Sequence, residues 1–483
     1  MSAIGIGFAI YLIVILVVGI WSARRTKTLP EFLLAGRKLG PWVVAFSERA
    51  SGESGWMLLG LTGLVYACGL GDPSGTKLEP AIWTAIGCVL GITVSWYLVA
   101  ERLRRESEQL GALTIPRYFE LKYGGNQPVI RLVATGIISF CFAFYIAAQF
   151  DAAGKSLEQT FGWSHMSGVM TGAAIIVFYT LMGGFFAVAW TDFIQGWIML
   201  VTLVVLPFVT LGHLGGWSGL VDKIGNINPD LLSITGNRTG WTLISGILGG
   251  LGVGLGYSGQ PHLLARYMSI RSAEDIKTSR KIAIVWAILA YGGAVLMGLV
   301  ALGYFGGGYF KDPEMMMPEL AKTIFPAWFA GILISGALAA MMSTADSQLL
   351  VTTSAVSEDI YHQFIKPDAS QKQLVKVSRQ VTMVLGIIAI LLSNLPKSIF
   401  DKVLFAWGGL GAAFGPALIL SLWWKKTSKN GVLSGMIVGF VSVILWDNSP
   451  LSTTLYSLVP GFFTALLTII VVSIFNGRLK KRA

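Results

Sequence analysis

Cysteine is almost missing from this chain: Cys68, Cys88 and Cys141 are the three in 483 residues, each in or beside an apolar stretch. So few and so scattered, they exclude a disulfide framework, and a buried thiol behaves there as a small hydrophobe. Histidine is equally scarce, and His165, His213, His262 and His362 are too far apart for a short-spaced zinc motif. Charged residues make up 13% of the chain, too few for an ordinary soluble domain. No cluster of His, Cys and carboxylates marks a catalytic pocket, so neither enzyme chemistry nor a bound organic cofactor is expected.

What is present is apolar. The chain is 54% hydrophobic with 58 glycines, and its mean hydropathy is +0.67. Marking runs near the ~20 residues needed to cross a bilayer gives about thirteen helices that fill nearly the whole sequence, an all-α multi-span membrane protein. The first run, near 4–22, is followed rather than preceded by Arg24 and Arg25 and lacks a small-residue cleavage site. It reads as a first span and not a cleaved signal.

The formal charge of +11 would suit nucleic acid, but its placement argues against that partner. Basic residues crowd alternate loops. One set holds Arg24, Arg25, Lys27, Arg37 and Lys38, a second group from Arg102 to Arg131, and a third containing Arg266, Arg271, Lys277, Arg280 and Lys281. It continues to Lys425, Lys426 and Lys429 and ends at Lys481 and Arg482. The positive-inside rule makes these loops cytoplasmic, with the N-terminus outside and the C-terminus inside. The expected partners are membrane lipid and a small solute, with no obligatory protein partner evident.

Within the second span, residues 47–56 read SERASGESGW, with three charges in an otherwise apolar crossing. Such residues are expensive in a bilayer and functional there by default. The helix is expected to lose regular hydrogen bonding at Ser51, Gly52, Ser54 and Gly55, leaving carbonyls free for a cation and amides free for an anion. The plainer reading is an internal ion pair between Arg49 and Glu53, four apart. The seventh span carries GGLGVGLGYSGQP at 249–261, whose glycines and proline predict a second break, with close helix packing as an equal reading of the glycines. Without a strand or a P-loop lysine these glycines are no nucleotide loop. Tyr257 and Pro261 then sit one turn apart, with the tyrosine placed to face a ligand.

Two interrupted helices five spans apart point to a secondary transporter with inverted repeats. The expected plan is a first helix and loop at 1–39, one repeat at 40–215, the second at 240–425, and two accessory helices with a basic tail at 430–483. The ninth span supplies AAMMSTADSQLL at 339–350, where the Ser343 and Thr344 hydroxyls, with Ala340 one turn earlier, suit a monovalent cation. Asp192, at the expected cytoplasmic start of the sixth span, is either a carboxylate favoured by the helix dipole or part of an ion exit path. Asp346 lies two residues past Thr344 in a largely apolar helix, and Asp151 and Lys155 are expected to pair at the surface.

The stretches FLLAGRKLGPW, ASGESGW, LGALTIPRYF, YTLMGGFFAVAWTD, GLGYSGQPHLLARYM, the run from AGILISG to SEDIY, and WGGLGAAFGP carry a resemblance to the sodium/solute symporters over essentially the whole chain. The resemblance implies thirteen helices around a five-plus-five inverted-repeat core of the leucine-transporter type. It implies a sodium ion held by the carbonyls of Ala50, Glu53 and Ala340 and the hydroxyls of Ser343 and Thr344. Ser54, Gly55, Trp56, Tyr257 and Pro261 match solute-binding or coupling positions, Asp192 matches an aspartate linked to sodium passage, and Arg37 matches an important cytoplasmic arginine. This chain departs from the pattern at Gly52, where an aspartate is expected, at Glu53 for a methionine, at Arg49 for a glycine and at Val253 for a tryptophan.

Together these point to a bacterial inner-membrane symporter that moves a small carboxylated solute, L-proline first, with sodium. Arg49, Asp192 and Asp346 join Arg37 on the ion path, and Val253 joins the solute pocket. Proton coupling, carried by an unpaired Glu53, and another carboxylated solute are the alternatives. A channel, a transporter-like sensor and a membrane enzyme lack their usual marks.

Overall fold

A computed structural model describes residues 3–23, 29–125, 128–395 and 397–480. Arg24, Arg25, Lys27, Lys481 and Arg482, used in the charge count, lie outside them. The chain is all helical, and among the described residues the lone extended pairing is a parallel bridge between Leu39 and Ile270. Helices α1 (Ala3–Ala23), α3 (Ala81–Gln109) and α4 (Pro128–Phe161) come early in the chain, and α8 (Asp275–Phe305) follows in its second half. Then come α9 (Ala327–Ile365), α10 (Gln371–Ser393), α11 (Ile399–Trp423), α12 (Lys429–Asp447) and α13 (Leu458–Lys480). Among the described residues ten helices are long and apolar enough to cross a membrane. The first, second and fifth complete the thirteen expected: the apolar stretches counted in the first and fifth are Ile4–Gly19 and His165–Phe178, and the second is interrupted.

The interruptions are where sequence said backbone would break, with corrections in detail. Helix α2 runs Pro41–Gly55, continues as a π-wound turn over Trp56–Leu61 and closes with Thr62–Cys68. Its one non-helical residue is Ser54, at φ 40° and ψ −172°. Ser51 and Gly52 stay helical, contrary to expectation, because the side chains of Arg49 and Glu53 pair across one helical turn and that spacing needs a helix. Helix α7 begins as Gly240–Val253, tightens to a 3-10 stretch at Gly254–Gly259, passes through extended Gln260 and resumes at Pro261–Ser269.

The fifth and sixth spans form one bent helix, His165–His213, that turns at Gly184, where φ is 60°. The first arm is α5 and the second, Gly184–His213, is α6. This moves the corner ahead of its expected place and puts Asp192 inside α6, away from a helix start.

Small residues let the broken helices approach their neighbours. A Cβ on Gly91 of α3 would stand 2.1 Å from the Gly254 carbonyl oxygen, and one on Gly87 would stand 2.6 Å from that of Gly250. Such contacts are how helices pack where lipid supplies no hydrophobic drive. On the expected cytoplasmic side, Arg37 bonds Ser107, Met268 and Ala112, tying the loop after α1 to α3 and to the end of α7. Burial, with Arg104 alongside, lowers its guanidinium to about 10, so it stays charged at neutral pH.

Gly91→Ala forces α3 away from the 3-10 stretch and should cost roughly 1–3 kcal/mol. A lowered unfolding temperature in detergent is expected, and an unchanged one would contradict this packing.

Candidate functional site

The α2 break sets the site. Ser54 turns the chain through a backbone region that L residues rarely occupy, a cost of ~1–3 kcal/mol that persists where surroundings over-determine it. The freed amides are met. Gly55 N–H donates to Gln149 Oε1 of α4 at 3.1 Å, and Trp56 N–H to Ser54 Oγ at 3.3 Å. A Cβ on Gly55 would touch Ala152 of α4 and Met341 of α9, so the break lies close against both.

On the preceding turn the ninth-span hydroxyls arrive. Ser343 Oγ lies 3.0 Å from the Ala50 carbonyl and 3.1 Å from that of Ala340, while Thr344 Oγ1 donates to the Ser51 carbonyl at 2.9 Å. Four of the five expected ion-holding residues therefore meet, all through neutral oxygens. Glu53 stands apart: its carbonyl takes the Trp56 amide. Ser51 enters in its place, a residue that sequence offered as a break and not as a ligand.

Beneath lies a second buried cluster. Asp192 Oδ2 accepts from Ser47 Oγ at 2.6 Å, Ser51 Oγ at 3.1 Å and Arg266 Nη2 at 3.0 Å, and Arg266 also bonds Ser347. Arg266, assigned by sequence to a cytoplasmic loop, is fully buried, because the helix after Pro261 carries it inward against Asp192. Asp192 is no exposed helix-start carboxylate. Asp346 accepts from Ser347 at 3.2 Å, and its other oxygen, like one of Asp192, has no partner among the described residues.

Arg49 bonds both Glu48 and Glu53, so the internal pair expected from spacing is real but is a triad. Glu48 also accepts from Trp96 Nε1 at 3.1 Å and lies 3.3 Å from the Tyr267 hydroxyl. Glu53 accepts from Tyr291 and faces the Tyr257 hydroxyl at 3.3 Å. The premise of a proton-carrying Glu53, that it is unpaired, is not met. The triad fastens α2 to α3, α7 and α8 at once.

Other expected residues are placed more loosely. Trp56 packs near Tyr291 and Phe400, at ring-centroid distances of 6.1 and 6.0 Å. Val253 offers its carbonyl to Trp407 Nε1 at 2.9 Å. Pro261 is parted from Tyr257 by extended Gln260, so no regular turn links them, and it lines a small cleft with Leu113, Phe185 and Leu350. Asp151 and Lys155 do not pair. Asp151 meets Lys402 at 2.5 Å and His165 at 3.1 Å, while Lys155 meets Glu314 and Asp312, because side chains of α11, α5 and the 306–326 loop reach them first. These charges line a cleft of about 630 Å³ on the expected exterior face, with Gly60 and Phe400 also in its wall.

Two broken helices, one of them meeting a hydroxyl pair on a continuous helix, define a secondary transporter built on inverted repeats. The chain belongs to the sodium:solute symporter family, whose model matches residues 32–439. It is 40% identical to the high-affinity proline transporter PutP of Bacillus subtilis, covering 95% of this chain and 96% of that one. It is 38% identical to the sodium/proline symporter of Salmonella typhimurium, over 97% and 92%. In fold it is similar to a Na+-coupled sialic acid symporter solved outward-open with substrate, at TM-score 0.82, 19% identity and 98% of each chain. MhsT in complex with L-phenylalanine aligns at TM-score 0.57 and 15% identity, covering 90% of this chain and 97% of its own. The chain is thus a multi-pass membrane transporter and not an enzyme.

Arg49→Met strands two buried carboxylates and should destabilise by about 3–5 kcal/mol. Glu48→Leu with Arg49→Met and Glu53→Met removes all three charges and should unfold at a higher temperature than the single variant. Unfolding curves in detergent read the order, and the reverse order would contradict a mutually dependent triad.

Proposed function

We propose that this protein is a symporter of a bacterial inner membrane that couples inward sodium movement to uptake of a small amino acid, L-proline, by alternating access. One observation carries the ion assignment: the Ser343 and Thr344 hydroxyls of α9 lie on the Ala50 and Ser51 carbonyls at the α2 break. A monovalent cation needs several oxygens and little fixed charge, and these oxygens supply that. Drawn around sodium they would exchange mutual hydrogen bonds for ion contacts, pulling α2 onto α9 and preparing the break for solute. The proline assignment rests on relatives named for proline that match nearly the whole chain.

Ser54, Gly55, Trp56, Val253, Tyr257 and Pro261 are the proposed solute positions, and Arg37, Arg49, Asp192 and Asp346 the proposed coupling positions. The repeats span 40–215 and 240–425, with the basic loops inside the cell. Sodium and solute would favour each other through a coupling of ~1–3 kcal/mol. The membrane potential adds ~2.3 kcal/mol per charge at ~100 mV.

Proteoliposome uptake under separate sodium and proton gradients tests this. Proline accumulation driven by sodium is expected; accumulation that ignores sodium would leave proton coupling, and no proline uptake would refute the solute. Ser343→Ala with Thr344→Ala should raise the sodium concentration for half-maximal uptake at least ~10-fold, since each hydrogen-bonding oxygen contributes ~1 kcal/mol or more to a charged partner, at unchanged protein yield. Unchanged sodium dependence would remove these hydroxyls from the ion site.

A further inference from the structure

Tyr257 follows the glycines of the second break, and its ring and hydroxyl are held by different groups. Trp407 meets the ring edge-on at a centroid distance of 4.7 Å. The indole sits in the notch at Gly256, where a Cβ would fall 1.9 Å from Nε1, and is fixed by its bond to the Val253 carbonyl. Arg49 covers the ring at 5.3 Å. The hydroxyl faces Tyr291 at 2.7 Å and Glu53 at 3.3 Å, and all three side chains are buried.

We propose that Glu53 and Tyr291 are positioning residues that orient the Tyr257 hydroxyl as a hydrogen-bond acceptor for a cationic nitrogen of the transported solute. This rests on the amino-acid symport reading above. Glu53, ionised against Arg49, can only accept. The single hydroxyl proton of Tyr291 goes to Glu53, so the contact between the two hydroxyls is closed by the proton of Tyr257. The relay runs from Tyr257 to Tyr291 to Glu53, with Arg49 donating from the far side.

The Tyr257 oxygen is left with lone pairs and no proton to offer. The weak thiol of Cys88 also lies beside the two hydroxyls. Each bond in such a chain polarises the next, so the oxygen at its head is a better acceptor than an isolated phenol. A charged N–H is its best partner.

Glu53→Gln tests direction with almost no change of shape. Arg49 can only donate, so it holds the amide oxygen and turns the amide N–H toward Tyr291. Tyr291 must then accept, and its proton passes to the Tyr257 oxygen. The Tyr257 proton is turned toward the solute, where it opposes a cation. Tyr291→Phe leaves the Tyr257 hydroxyl only its direct, longer bond to Glu53 at 3.3 Å, so its oxygen remains an acceptor but is less firmly oriented. Neither change touches the Ala50, Ser51, Ser343 or Thr344 oxygens.

The readout is competition for uptake in proteoliposomes under a fixed sodium gradient, between proline and tetrahydrofuran-2-carboxylate, the same ring with oxygen in place of nitrogen. The wild type should prefer proline at least ~10-fold, as buried polar sites reject analogues that leave them unpaired. Glu53→Gln should reduce that preference at least ~10-fold, one lost charge-assisted bond being worth that much, and Tyr291→Phe should reduce it by less, both with sodium half-saturation within about two-fold. A preference is a ratio within one sample, so it does not move with the amount of folded protein. Wild-type preference retained in Glu53→Gln, a larger loss in Tyr291→Phe than in Glu53→Gln, or no preference in the wild type would overturn the relay. Uptake of a different amino acid would overturn the proline assignment alone, and the relay is then read on that amino acid and its analogue lacking the nitrogen.

Discussion

A backbone carbonyl in the middle of a membrane-spanning helix has no water to bond, and Ala50 and Ser51 stand within four residues of a break that disturbs the ladder around them. The side chains that answer them are Ser343 and Thr344, from a helix nearly three hundred residues away in sequence. That contact is what makes an irregular α2 tolerable and is also what gives it a purpose. Oxygens gathered to satisfy one another are already close enough to be shared by a small cation, so the structural remedy and the proposed ion site are the same atoms.

Around it two charged clusters divide the work. Glu48, Arg49 and Glu53 link α2 to α3, α7 and α8. Asp192, Arg266, Ser47, Ser51 and Ser347 link α2 and α7 to α6 and α9. The first cluster ties four helices into one body. The second, like the hydroxyl pair, bridges that body to its neighbours α6 and α9. A buried ion pair is seldom a net stabiliser. The departures at Arg49 and Glu53 thus exchange an apolar turn for a fixed polar one. Gly52 fits the same exchange: a Cβ there would stand 3.6 Å from Arg49 Nη2 and 3.3 Å from Leu263.

The spans were legible because crossing a bilayer imposes a length and a composition, and the breaks because Gly, Ser and Pro cannot hide in an apolar run. The Ser343 and Thr344 pair was legible by residue type. What was not legible came from contacts across long sequence distances. Tyr291 sits in a regular stretch of α8 with no local signal, yet meets a residue 238 positions earlier. Trp407 likewise reads as one more core aromatic. Arg266 was visible but misassigned, since a lone arginine near the end of a span looks like the start of a basic loop until Asp192 is found opposite it. Asp192 itself was displaced by the corner: Gly184, and not the later AWTD segment, makes the turn. The pairing of Glu53 with Arg49 was legible from their spacing, but its second partner, Tyr291, was not.

The central claim is that ion and solute meet at the α2 break and so bind as a coupled pair. Calorimetric titration of the purified protein tests it most directly: proline affinity measured with and without sodium, and sodium affinity with and without proline. The account predicts that each ligand tightens the other by the same factor, between ~5-fold and ~150-fold, as linkage requires. Proline that binds equally well with and without sodium would contradict it.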